Sequence, residues 1–142
     1  MPKTFKMELA KIQPSQLYIS EDKLASVKTK IAGKDIAELE PIPIKKLGND
    51  IIYTDGHTRA FLAHQMGLAE ILVEWEDEDL DWEMYKICVQ WCKDEGIFTI
   101  VDLEKRVVPH KQYEIVWYKR CDVLHAEIEQ KRMNEEKIQT EK

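Results

Sequence analysis

The stretch "EPIPIKKLGNDIIYTDGHTRAFLAHQMG", residues 40 to 67, constrains the fold more than any other part of the chain. Pro41 and Pro43 remove two backbone donors and forbid a helix there, and a β-rich run carrying prolines suits an edge strand. "GND" is a turn signal and "IIYT" a second short β-rich run, so residues 42–54 read as a hairpin. Phe61, Leu62 and Met66 then recur at helical spacing and Gly67 follows, so Thr58–Met66 reads as a helix. Between strand and helix stand Asp55, Gly56, His57, Thr58 and Arg59 in unbroken succession.

The flanks extend the pattern. "IQPSQLYI" reads as a short extended segment. Ser20 then precedes "EDKLASVKTKI", where Leu24, Val27 and Ile31 mark one helical face. Ser20 suits the N-cap, acids occupy the first turn, and Gly33 supplies the stop. After the second helix, "EILVEW" reads as another strand. Helix, hairpin, helix and strand make residues 1–75 an α/β or α+β core.

The acidic run "EDEDLD" (residues 76–81) marks a boundary, and helical spacing dominates beyond it. Trp82, Tyr85, Val89 and Cys92 form one stripe, with Met84, Cys88 and Trp91 beside it and Gly96 as the stop. Thr99 with Asp102 forms a capping box for a short helix. From His110 onward, Tyr113, Trp117, Cys121, Leu124 and Ile128 form a third stripe. Residues 76–142 therefore read as an all-helical extension. All four tryptophans lie in it or at its border, and rings of that size need burial, so it is expected to pack on the first unit. A homodimer surface on it stays open. The last ten or so residues have little to bury and are expected to fray.

Charge narrows the partners. Residues 1–75 carry 10 Lys and Arg against 10 Asp and Glu, and residues 76–142 carry 11 against 17. Neither half is a basic footprint, which argues against nucleic acid as a partner. No run of 18 apolar residues is present, so no membrane span is expected. "MPKTFKMELAK" lacks the apolar core of a secretory signal and the three cysteines are an odd number, so a cytoplasmic chain with reduced thiols is expected. Cys88 and Cys92 stand one helical turn apart with no second pair of ligands nearby, and read as buried thiols rather than a metal site.

The loop residues fit one chemistry together. The first turn of a helix offers unpaired N–H groups and partial positive charge, which suit an anion. Gly56 permits a sharp turn or close approach of a ligand. Arg59 can grip a phosphate with two donors, and Thr58 and His57 add polar groups. Asp55 is a hard oxygen ligand for Mg²⁺. A plainer reading makes Asp55 a helix cap and Arg59 a solvated side chain, and the local pattern leaves both open.

The stretch from "PIPIKKL" through "IIYTDGHTRAFLAHQMGLAEILVEW" resembles the ParB/sulfiredoxin superfamily over residues 8–75. The resemblance implies a mixed sheet with helices and a nucleotide held by the glycine loop. Lys23 and Ser26, three apart on the upstream helix, match the pair that reaches the nucleotide in sulfiredoxins. Sulfiredoxin chemistry itself is excluded, because its loop needs a cysteine where His57 stands and residues 1–75 hold no thiol. ParB proteins carry a second arginine that is missing here. "DGHTR" is closest to the "DGHHR" loop of free-serine kinases, with Thr58 replacing the second histidine. That implies ATP, ADP or CTP with Mg²⁺ as cofactor, Asp55 orienting the metal, and Gly56, His57, Thr58 and Arg59 holding phosphates. It also implies phosphoryl transfer to a small hydroxyl compound such as serine. Asp55, His57 and Glu21 would be the catalytic residues; those kinases use a glutamate from the region of Glu21 as base. The plain reading of Glu21 is a first-turn acid favoured by the helix dipole. The alternative function is a non-catalytic, nucleotide-switched module that docks a protein or DNA partner through its helical tail.

Overall fold

A computed structural model of the chain describes residues 3–34 and 39–140. Strands β1 (Thr4–Glu8), β2 (Ile19–Ser20), β3 (Ile42–Leu47) and β4 (Asp50–Tyr53) alternate with helices α1 (Glu21–Ile31) and α2 (His57–Gln65). Strand β5 (Glu70–Trp75), helix α3 (Trp82–Asp94), a 3₁₀ turn (Ile100–Arg106) and strand β6 (Val107–Val108) follow. One long helical run closes the chain: α4 (His110–Tyr113), a π-helical segment (Glu114–Tyr118) and α5 (Lys119–Thr140). The main sheet has the order β1-β5-β3-β4, with β3 parallel to β5 and the other pairs antiparallel. The α+β class expected of the sequence is the observed one.

The hairpin, both core helices, β5 and the capping box at Thr99 lie where the sequence places them. Ser20 caps α1, its hydroxyl accepting the Lys23 N–H at 3.3 Å. Gly33 follows the helix end with φ +76°. Two expectations need correction. β3 is interior, not an edge strand. It tolerates Pro43 because that residue's polar backbone faces β4 beyond the end of the ladder, where its carbonyl accepts the Thr54 N–H at 3.1 Å. β1 and β6 were not expected. β1 alternates Phe5 and Met7 with Lys6 and Glu8 against β5, while β6 is two residues paired to β2 with no local signal of its own. α5 runs to Thr140, and residues 141 and 142, on which part of the expected fraying falls, lie outside the described residues. Arg132, midway along α5, reaches Asp81 at 2.9 Å and Glu83 at 3.3 Å.

Both halves share one core. Ile42, Ile44, Tyr53 and Val73 of the sheet meet Ala60, Phe61 and Ala63 of α2, and Cys92, Ile97, Leu103, Tyr113 and Trp117 of the extension belong to the same cluster. Trp82 and Tyr85 are half-buried rather than enclosed. Lys45 lies 4.9 Å from the Trp82 ring centre, and the Tyr85 hydroxyl donates to the Thr54 carbonyl at 2.8 Å. Among the described residues no helix is long and apolar enough to cross a membrane.

Candidate functional site

A cleft of about 560 Å³ opens between α1, the loop before α2, and the start of the C-terminal helix. It gathers Lys23, Ser26, Asp55, Gly56, His57, Thr58 and Arg59, all of the sequence-predicted group except Glu21. A helix turns by about 100° per residue, so Lys23, Ser26 and Lys30 share one face of α1 and Glu21 points the other way. Glu21 lines a separate depression with Leu24, Lys28 and His64 and is not brought to this cleft.

The end of α2 that faces the cleft is uncapped. Gly56 takes φ +77° at the cap position, no side-chain cap bond is made among the described residues, and no acid lies in the first turn. The first helical bond runs from Ala60 to the Gly56 carbonyl, so the N–H groups of His57, Thr58 and Arg59 precede the ladder. Asp55 turns its Oδ1 back to the Gly56 N–H at 2.8 Å and is otherwise exposed on the rim.

Among the described residues four cations line the cleft, Lys23, Lys30, Lys34 and Arg59, against the two carboxylates Glu40 and Asp55. Lys30 and Lys34 were missed by sequence reasoning, although Lys30 stands two turns from Lys23 on the same face. Arg59 is held rather than free. Its Nη1 donates to the carbonyls of Glu40 at 2.9 Å and Pro41 at 3.3 Å. Lys23 is also held: its ammonium hydrogen-bonds the Tyr118 hydroxyl and lies about 5 Å from the Tyr113 and Tyr118 ring centres.

His57 differs from its expected role. It is 4% exposed, and its Nε2 accepts the Ser15 N–H at 3.0 Å. Burial lowers its pKa to about 4, against a small upward pull from Asp55. The ring is therefore neutral at pH 7, with its proton on Nδ1. It stands as a fixed polar wall and not as a proton carrier. Ser20, His110 and Glu114 form a chain of contacts at 2.9 and 3.3 Å, but Ser20 is fully buried and no nucleophile.

A second cavity, about 210 Å³, adjoins the cleft. Gln16, Asp55 and His57 line both. Its other walls include Ser15 and Thr54 of the core, Met84 and Tyr85 of α3, and Trp117 of the π segment. Among the described residues no three His, Cys, Asp or Glu side chains gather to hold a metal. Asp55 alone still fits Mg²⁺, which takes one or two carboxylates and completes its shell with water and phosphate oxygens.

Gly56 admits a direct test. A Cβ there would stand 2.9 Å from Arg59 Nη2 and 3.1 Å from Ile42 Cγ2, on a backbone that already disfavours side chains. Gly48, at φ +60°, has nothing within 4 Å of its Cβ position. Gly56→Ala and Gly48→Ala should each lose about 1–2 kcal/mol from the left-handed backbone, but only Gly56→Ala should also displace Arg59. Thermal melts and anion titrations of the two variants would separate strain from site damage.

No family model and no curated protein matches the sequence. Solved structures that match include protein Atu1540 from Agrobacterium tumefaciens, at 11% identity and TM-score 0.47, over 72% of this chain and 62% of that one. Another is the C-terminally truncated chromosome-partitioning protein ParB from Caulobacter crescentus complexed with CTP-gamma-S, at 15% identity and TM-score 0.43, over 67% of this chain and 54% of that one. The chain thus spans less than two thirds of the length of either. At these scores the likeness says nothing of this chain's ligand.

Proposed function

We propose that the cleft binds a nucleotide by its phosphates. The observation that carries this reading is the uncapped N-terminus of α2 opening onto the same space as Lys23, Lys30, Lys34 and Arg59. Each feature alone is common. Together they put first-turn N–H donors that precede the helical ladder, a helix dipole and several cations around one cavity large enough for a ligand of nucleotide size. The resemblance of the "DGHTR" loop to nucleotide-binding members of the ParB/sulfiredoxin superfamily supports the same ligand class. Asp55 would hold Mg²⁺ at the rim, where the ion would neutralise phosphate charge.

The phosphotransferase form of this reading rests on the second cavity. Asp55 is the carboxylate that lines both spaces, so an acceptor hydroxyl seated in the small cavity would face the phosphates across it. The switch form rests on Lys23, whose ammonium links the cleft to Tyr113 and Tyr118 of the C-terminal helical run. A phosphate that draws Lys23 away would loosen that contact.

Calorimetric titration with ATP, ADP, CTP and GTP, with and without Mg²⁺, tests the shared premise, since saturating ligand also raises the melting temperature by linkage. Failure of every nucleotide to bind sinks both forms. With the bound nucleotide, product analysis against a panel of small hydroxyl compounds separates them, because the switch form yields no phosphorylated product. For the phosphotransferase form, Asp55→Asn should lower turnover by about tenfold or more and change nucleotide affinity far less.

A further inference from the structure

The small cavity has a wall that phosphate binding does not use. Cys88 of α3 and Cys121 of α5 line it together, and each thiol is close enough to shift the titration of the other. α3 and α5 pack side by side here. Cys88 is buried and Cys121 is half-exposed, so the cavity is a route by which a small reagent reaches the pair. The third thiol is engaged elsewhere: Cys92 is fully buried and donates to the Gln16 carbonyl at 3.5 Å.

The two sulfurs are not equivalent. The neighbouring Cys88 thiol holds the Cys121 thiol below its ordinary range against burial and Asp122, with a lesser pull from Arg120, while the Cys121 neighbour and then burial push Cys88 up. Arg120 is fixed in place, its guanidinium 4.1 Å from the Trp91 ring centre and its Nη1 3.3 Å from Glu95. A more exposed thiol sharing a cavity with a second, buried thiol is an attacking and resolving arrangement.

We propose that Cys88 and Cys121 form a reversible disulfide across the small cavity, a redox modification site written by small hydroperoxides. The Cys121 thiolate attacks the O–O bond; an S–O bond forms, the O–O bond breaks, and hydroxide leaves and takes up a proton. The Cys88 sulfur, giving up its proton, then attacks the Cys121 sulfur; the S–S bond forms and water leaves. Two thiols lose two electrons and the peroxide is reduced to two waters. A dithiol reductant reverses the change. The product would clamp α3 to α5 and shrink the cavity from the side facing Asp55 and His57.

The probe is hydrogen peroxide at near-stoichiometric amounts on the full chain, read by non-reducing peptide mapping. The expected product is a cross-link between the Cys88 and Cys121 peptides that dithiothreitol removes. It should persist in Cys92→Ser and vanish in Cys121→Ser, whose fold circular dichroism would verify. Sulfinic acid at Cys121 without a cross-link would overturn the proposal. So would a Cys88–Cys92 bond, or thiols that stay free under treatment that oxidises glutathione. The wild-type map decides the matter even if a variant fails to fold. No nucleotide enters the experiment, so its outcome is independent of the phosphate cleft.

Discussion

Acidification should destabilise the protein by on the order of 3 kcal/mol between about pH 6.5 and pH 4, and His57 should account for most of that loss in this window. The unfolded chain takes a proton on this imidazole near the ordinary value of 6.5, whereas the folded chain takes it only near 4, because burial disfavours the cation. Across that interval the unfolded state holds more protons. Stability is therefore fully present above the upper value, falls with falling pH, and levels off below the lower one. The Ser15 N–H adds to the effect, since Nε2 cannot both accept that bond and carry a proton. Urea unfolding at closely spaced pH values checks this. His57→Gln keeps an acceptor oxygen near the Nε2 position but does not titrate, so its curve should be flatter by about the same amount. Parallel curves for the two proteins would show that the imidazole is not the group responsible.

That buried histidine also marks the limit of what the sequence discloses. "DGHTR" before an apolar helical run was legible as a glycine loop opening a helix, because Gly56 and the helical spacing are local signals. The acceptor bond from Ser15 to His57 joins residues 42 apart, and nothing in either neighbourhood announces it. The same divide explains the other elements. Ser20, Gly33, Gly67 and the capping box at Thr99 were readable because a cap is decided within a few residues. β6 was not, because its two residues are a strand only by virtue of β2 beside them. The position of Glu21 was legible in another way. Its helical phase already placed it away from Lys23 and Ser26, and phase would also have found Lys30. The π segment left a trace as well: Tyr113, Trp117 and Cys121 recur at fours without an intervening three, a slower period than an α-helix sustains.

Arg59→Ala should weaken nucleotide binding by about 1–3 kcal/mol, a loss of roughly five- to over a hundredfold in affinity, while leaving the fold intact. The expectation follows from how the guanidinium is held. Nη1 is engaged by the carbonyls of Glu40 and Pro41, and the side chain lies against Gly56 with 21% of its surface exposed. An arginine pinned along one edge loses little freedom when a phosphate takes another, so its charge is delivered without much ordering cost. The nearby Glu40 carboxylate, at 3.9 Å and 90% exposed, is a loose partner that a phosphate can outcompete. Arg59→Lys keeps a point charge but cannot hold both carbonyls and a phosphate at once, so it should recover part of the affinity and not all of it. Stability should change by about 1 kcal/mol or less, because the carbonyls left behind lie near the surface and turn to water. Calorimetric titration of the three proteins at low and moderate salt reads all of this, and the gap between wild type and Arg59→Ala should narrow as salt rises. Equal affinity of wild type and Arg59→Ala for every nucleotide that binds would make Arg59 a brace for residues 40 and 41 alone, and would move the phosphates to the lysines of α1.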